Sequence, residues 1–302
     1  MFNDRTYGLV LGGGGARGGA HIGALKVLHE VGYRPDLIVG TSVGGWIAAL
    51  LGVGWTPDRL EEYFSPERFS HFSYLDRTGE ALLGIGFFDE ELQRIFGDTD
   101  LRDLSPKVAV MAADIRNQRR VLIDRGSVRH ALHATIAVPG VFPAVPCDDM
   151  LLVDGGISDN LPTQATFYLG AKRVVAIDLD SNLSAVTFGG ASPFSRYFER
   201  ACYWLLHLSN RQRAFETVVQ SYRLSSLTLT RFQLAVFPPD VLIQPDMPDI
   251  GLFSTDRIPD TIRAGERAAR ARANEIRAIM RPFYFRRRPQ SVLPQFITTE
   301  IC

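Results

Sequence analysis

The sequence predicts a layered α/β fold built on a mainly parallel sheet, and three observations carry that prediction. Short apolar runs of strand length alternate with helical patterns through the first 180 residues. One of those runs, residues 173–179, is apolar almost throughout, as in a strand covered on both faces. Glycine-rich turns stand where the apolar runs give way to helices.

Residues 7–11 read as a buried strand, followed by glycines and a helix over 18–31. A second strand over 36–40 leads into a helix over 42–51. Thr56 and Pro57 open another helix, threonine as N-cap and proline at the first helical position. Asp89 is expected to cap a helix over 90–96. Residues 107–113 and 120–123 read as strands, and Ser127 caps a helix that must stop before Pro139. Residues 150–153 and 173–179 are strand-like, 192–235 form a long aromatic-rich stretch expected to be helical, and a charged helix covers 256–280. No internal repeat or separating linker interrupts the chain, so residues 1–281 are expected to form one domain and 282–302 a tail.

A chain of 302 residues with 46% apolar and 22% charged residues can bury a large core. Lys+Arg and Asp+Glu both number 33, so no global field favours nucleic acid. Arg286, Arg287 and Arg288 cluster near the end, read as a solvated tail or a lipid-headgroup contact. Cys147, Cys202 and Cys302 fit no metal or redox spacing, and free thiols suit a reducing compartment. The charged start and short first apolar run match neither a signal peptide nor a membrane span. The expectation is a soluble, cytoplasmic protein whose membrane contact, if any, is peripheral.

Gly40-Thr41-Ser42-Val43-Gly44 matches G-x-S-x-G directly between a predicted strand and a predicted helix. Such a turn strains the serine backbone and holds its hydroxyl outward, and the glycines leave room for neighbouring chains. The competing reading is a glycine-rich turn whose serine caps the helix. Gly13, Gly14, Gly15, Ala16, Arg17 and Gly18 follow the first strand. A dinucleotide loop has similar spacing but wants an acidic residue near the end of the second strand, whereas Asp36 begins it. A Walker loop would need Lys-Ser/Thr after the glycines, which is missing. The third use of such a loop is to aim bare N–H groups at a developing oxyanion. Arg17 either meets a lipid phosphate or stabilises the loop.

A serine nucleophile needs a proton acceptor. His21, His29, His71, His130, His133 and His207 all fall outside a late loop after a strand. Asp154, at the end of a strand-like run and followed by Gly155 and Gly156, is the better candidate. Burial would make its carboxylate more basic, and esters suit a weak base. The competing reading is an ordinary Asp-Gly turn.

Together, the Gly13–Gly18 loop, the 38–45 stretch around Ser42, Ala137-Val138-Pro139-Gly140-Val141-Phe142-Pro143, and Val153-Asp154-Gly155-Gly156 through Asn160-Leu161-Pro162 resemble the patatin-like phospholipases. The likeness is to the compact bacterial group similar to the catalytic domain of neuropathy target esterase, and it covers about residues 6–180. It implies a three-layer α/β/α sandwich, Ser42 as nucleophile, Asp154 as base, an oxyanion hole from the glycine loop, and no metal or cofactor. It also implies lipid acyl esters, phospholipid or lysophospholipid, as substrates, met at a membrane or micelle surface. An acyltransferase using the same pair and a non-catalytic lipid- or nucleotide-binding module are the alternatives. Aromatics in 64–88 (Phe64, Phe69, Phe72, Tyr74, Phe87, Phe88) and at Tyr203-Trp204 are read as an acyl-binding cap or as plain core.

Overall fold

The computed structural model describes residues 6–66, 74–75, 83–84, 86–180, 212–252, 254–282, 284 and 296–301. Strands β1 (Tyr7–Leu11), β2 (Leu37–Thr41), β5 (Lys107–Asp114), β6 (Arg119–Gly126), β7 (Val145–Cys147), β8 (Met150–Asp154), β9 (Arg173–Ile177), β10 (Val241–Ile243) and β11 (Phe296–Ile301) join one sheet; β3 (Tyr74–Leu75) and β4 (Leu83–Gly84) form a separate small hairpin. The main order is β10-β9-β1-β2-β5-β6-β11, with β8 paired to β5 and β7 to β8. From β10 to β5 every pairing is parallel; β6 and β8 run antiparallel to β5.

The helices are α1 (Gly19–Glu30), α2 (Val43–Gly52), α3 (Pro57–Tyr63), α4 (Gly86–Phe96), α5 (Val128–Ile136), α6 (Thr163–Tyr168), α7 (Gln212–Val236), α8 (Ile258–Ala271) and α9 (Ala273–Ile279). Side chains alternate across each strand, so the sheet feeds two cores. Leu9, Leu11, Ile38, Val110 and Ile177 pack with residues of α1, α2, α5 and α8. Val10, Val39, Met111 and Ala176 pack against Ala165 of α6 and Leu234 of α7. Three layers result, as expected from the resemblance.

Most departures from the sequence reading are local. Thr56 does cap α3, accepting from the Arg59 N–H. Asp89 lies inside the first turn of α4 rather than at its cap, and faces Arg129 and His133 of α5. The last helix is broken at Arg272 into α8 and α9. Within the stretch read as a tail, Phe296–Ile301 is a strand of the sheet, parallel to β6. Cys147 is buried and disulfide-bonded to a partner outside the described residues, which corrects the expectation of free thiols. Phe64 and Phe88 are buried against Trp46, ring centroids 5.0 and 4.8 Å away, so these two are core and not a cap. Phe69, Phe72, Tyr203, Trp204 and Arg286–Arg288 lie outside the described residues, as do the side chains of Tyr74 and Phe87.

Candidate active site

Strand pairing brings Ser42 and Asp154 together. One edge of β5 carries β6; the other carries β2 along its first half and β8 along its last three residues. Thr41 stands opposite Met111 and Asp154 opposite Ala112. β2 runs up that edge and β8 runs down it, so the two strands end head to head at successive positions of β5. Asp154 reaches this point from the direction opposite to the parallel strands, a route different from the strand-end rule that suggested it.

Ser42 has φ 56° and ψ −128°, a conformation that costs a non-glycine residue about 1–3 kcal/mol. Its surroundings hold it there. The Ser42 N–H donates to Thr135 Oγ1 at 2.9 Å, and that hydroxyl donates to the Met111 carbonyl at 2.6 Å. The turn closes only because its flanks lack side chains. A Cβ on Gly44 would lie 2.2 Å from the Leu11 carbonyl oxygen, and one on Gly40 would lie 2.5 Å from the Gly44 backbone. Ser42 occupies the cap position of α2 yet makes no capping hydrogen bond. The helix-cap reading therefore does not account for this serine, and its hydroxyl is left for other work.

Asp154 is fully buried. Its Oδ1 accepts from the Gly156 N–H at 2.7 Å and from the Tyr222 hydroxyl at 3.3 Å. Burial pushes its pKa up to about 6, and the Ser42 hydroxyl, the Gly156 N–H and the Tyr222 hydroxyl offset part of that. Oδ2 has no hydrogen bond of ordinary geometry. Ser42 thus lies close enough to act on the carboxylate without a formed bond, as in many unliganded sites. Tyr222 comes from α7, and its oxygen presses on the base turn: a Cβ on Gly156 would lie 2.2 Å from it.

The glycine loop borders the same point, with the Cβ position of Gly13 3.2 Å from the Ser42 Cβ. Its N–H groups differ in availability. Gly13 donates to the Asn160 carbonyl, Ala16 to that of Leu252 and Arg17 to that of Gly14. Gly14 and Gly15 have no acceptor among the described residues, and Gly18 ends the 3-10 turn Gly15–Gly18, so of the six expected donors Gly14 and Gly15 are the ones the loop leaves open at its start. Arg17 is buried, and its guanidinium donates to the Gly14 and Leu179 carbonyls and pairs with Asp180 at 2.8 Å. It fastens the loop and does not face a lipid phosphate. Asn160 completes the fastening, its Nδ2 donating to the Gly13 carbonyl at 3.2 Å and to Asp180 at 2.7 Å. His21 donates from Nε2 to the Gly12 carbonyl at 2.7 Å, and burial lowers its pKa to about 4.

Burial likewise lowers His133 to about 4, and Nε2 lies 3.2 Å from Asp89 Oδ1. Among the described residues, no histidine is a partner of Asp154. Beside the carboxylate opens a mainly apolar cavity of about 340 Å³. Val138, Pro139, Val141, Ile157, Val218 and Leu252 form its apolar wall, and Tyr222 stands between it and Asp154. Sequence reasoning missed Tyr222 as a site residue: it stood in the aromatic-rich stretch with no local pattern to single it out. Asn160 was visible within the quoted motif, but without a role.

A strained serine therefore stands beside a buried carboxylate at the end of a sheet between helical layers. Comparison with known proteins gives the chain a family. The family model for "Patatin-like phospholipase" matches residues 9–167. Human "Patatin-like phospholipase domain-containing protein 6" is 34% identical over 189 residues, covering 60% of this chain and 14% of that protein. An NTE family protein of Mycobacterium tuberculosis is 31% identical over 277 residues, covering 88% of this chain and 46% of that one. Among solved structures, VipD from Legionella pneumophila matches with a TM-score of 0.53 at 14% identity, covering 89% of this chain and 67% of that one. The chain belongs to the patatin-like phospholipase family, a family of hydrolases. It spans less than half the length of the curated relatives described.

Proposed function

We propose that this protein is a serine acyl hydrolase of lipid esters, with Ser42 as nucleophile and Asp154 as the base. The observation that carries the reading is the head-to-head ending of β2 and β8 on one edge of β5. It sets a strained serine against a buried carboxylate with a raised pKa. Asp154 takes the Ser42 proton as Oγ attacks the ester carbonyl. The N–H groups of Gly14 and Gly15 receive the oxyanion. Collapse of the tetrahedral species releases the alcohol, which leaves with the proton held by Asp154, and the acyl group stays on Ser42. Asp154 then deprotonates water, whose attack frees the fatty acid and restores Ser42.

The acyl chain occupies the cavity beside Asp154, whose apolar wall suits an alkyl chain better than a sugar or nucleotide. Tyr222 is a positioning residue: it touches Asp154 and acts through it. No helix among the described residues is long and apolar enough to cross a membrane, so a lipid substrate would be met at a membrane or micelle surface or taken up as a monomer.

The test compares the wild-type chain with Ser42→Ala on a lysophospholipid and on a water-soluble short-chain ester, with circular dichroism to check folding. Loss of both activities in a folded variant is the expected result. Retained turnover on either substrate would remove Ser42 from the mechanism.

A further inference from the structure

The helix that delivers Tyr222 leaves an unusual share of large apolar side chains in solvent. Seven large hydrophobic side chains are exposed among the described residues, and five of them lie on α7: Val218, Leu224, Leu229, Phe232 and Val236. Leu224 and Phe232 are 68% and 67% exposed. Among its described residues, the two that α7 buries fully are polar, Ser226 at 3% and Thr230 at 4%, while Leu234 packs part-buried against the core. A surface helix ordinarily presents the reverse arrangement. Its outward arc is also almost uncharged: from residue 217 to 236, Arg231 is the single exposed ionisable side chain. Arg223 is only partly exposed, its pKa lowered by burial and by Arg17.

At 100° per residue, Val218, Leu229, Phe232 and Val236 fall in one seam along the helix. The seam spans about 27 Å at 1.5 Å per residue. Its Val218 end is continuous with the cavity, which Val218, Ser221, Tyr222 and Ser225 of the same helix line. Exposed apolar side chains of α7 thus lead to the mouth of the cavity, with Ser221 and Ser225 among them, and Tyr222 closes the cavity's inner side against Asp154. Large aliphatic and aromatic side chains interspersed with small hydroxyls, a solitary exposed cation and no exposed acid suit an occupant with an apolar interior and a polar boundary.

We propose that the outward face of α7 is the docking surface by which this protein lies on a lipid bilayer or micelle, with the cavity mouth held at that surface. This rests on the lipid-hydrolase reading and assigns it an entry side. Contact is made by burying apolar side chains at the headgroup boundary, so binding depends little on salt or on anionic lipid. The face is that of a helix lying in the interface.

The test uses the whole chain carrying Ser42→Ala, expected to leave lipid intact, in flotation with phosphatidylcholine vesicles. It is compared with the same chain carrying Leu229→Asp and Phe232→Asp, neither of which lines the cavity. The expected result is vesicle binding weakened at least about tenfold, on the order of 1.4 kcal/mol, and little change between low and high salt. With Ser42 intact, the double variant should hydrolyse a water-soluble ester at the wild-type rate and vesicle lipid at least about tenfold more slowly. Unchanged vesicle binding overturns the proposal. So does a fall in melting temperature with loss of soluble-ester activity, which would mean that α7 is covered by this chain. A wild-type dimer that the double variant converts to monomer would assign the face to a second copy. Vesicle binding is read by flotation and not by turnover, so its outcome does not depend on whether Ser42 proves to be the nucleophile.

Discussion

The site has two walls, built on opposite principles. On the sheet wall, Ser42, the glycine loop and Asp154 are all placed by backbone: strand ends, strained turns and close approaches that a single methyl group would spoil. On the helix wall, one tyrosine of α7 reaches across to Asp154, from a helix that buries Ser226 and Thr230 and exposes five large apolar side chains. The first wall holds Ser42 and Asp154, the proposed reacting pair, by backbone. The second meets Asp154 through one 3.3 Å hydrogen bond and otherwise lines the apolar cavity. Changes on the sheet wall should therefore act on rate by orders of magnitude, and changes on the helix wall by small factors or by substrate form.

The largest expected effect tests that contrast directly. Asp154→Asn keeps the shape of the base turn but removes the proton acceptor, so kcat/KM should fall on the order of 10^4-fold. The fold should gain stability at the same time. The Asp154 pKa is raised from 3.8 to about 6, so ionising it is harder in the folded chain than in the unfolded one. The penalty is missing below about pH 4, grows through the interval to pH 6 and is complete above it, on the order of 3 kcal/mol. Asparagine carries none of it. A higher melting temperature at pH 8 with a vanishing difference near pH 4, read by calorimetry, is the expected pattern. A melting temperature lower than wild type at pH 8 would mean that the carboxylate stabilises the fold.

Arg17→Met comes next. It leaves Asp180 buried without its guanidinium and frees the glycine loop. Breaking one partner of a buried ion pair costs about 3–5 kcal/mol, and kcat should fall because Gly14 and Gly15 lose their placement. The ratio of rates on esters with and without a phosphate headgroup should stay constant. A selective loss on phosphate-bearing substrates would return Arg17 to the role of ligand.

The sheet wall was legible in the sequence because its demands are local. Glycine at 40 and 44, serine at 42 and Asp-Gly-Gly at 154–156 are residue choices that the backbone enforces wherever such turns occur. How Asp154 arrives was not legible, since antiparallel entry of β8 onto the edge of β5 is a matter of topology. β10 and β11 escaped for a different reason: three residues carry no periodicity, and Phe296–Ile301 sits in a stretch whose composition reads as tail. For α7 the pattern showed a helix but not which way it faces. An amphipathic period is the same whether its apolar side meets a core or a lipid. The role of Tyr222 depends on that facing, so it stayed hidden among the seven other aromatics of residues 192–235.

Tyr222→Phe is the smallest predicted effect and the one that joins the two walls. The hydroxyl donates to Asp154 Oδ1, which favours the ionised carboxylate. Removing it should raise the Asp154 pKa above its value of about 6, leaving the Gly156 N–H and the Ser42 hydroxyl as remaining support. The other charged groups around the site are engaged elsewhere. Arg17 pairs with Asp180, Arg120 with Asp159, and Arg223 of α7 feels Arg17 and Asp180. The profile of kcat/KM against pH should therefore keep one ionisation on its acid limb. Activity appears as Asp154 loses its proton, so the wild-type limb rises through about pH 6 and that of the variant is displaced upward. At pH 6 the variant should be several-fold slower; at pH 8, where both carboxylates are ionised, the two should run at nearly the same rate, because a phenyl ring still fills the cavity wall. A tyrosine that only packed would lower the rate by one factor at every pH. A displaced limb with an unchanged plateau marks Tyr222 as the group through which α7 sets the basicity of Asp154.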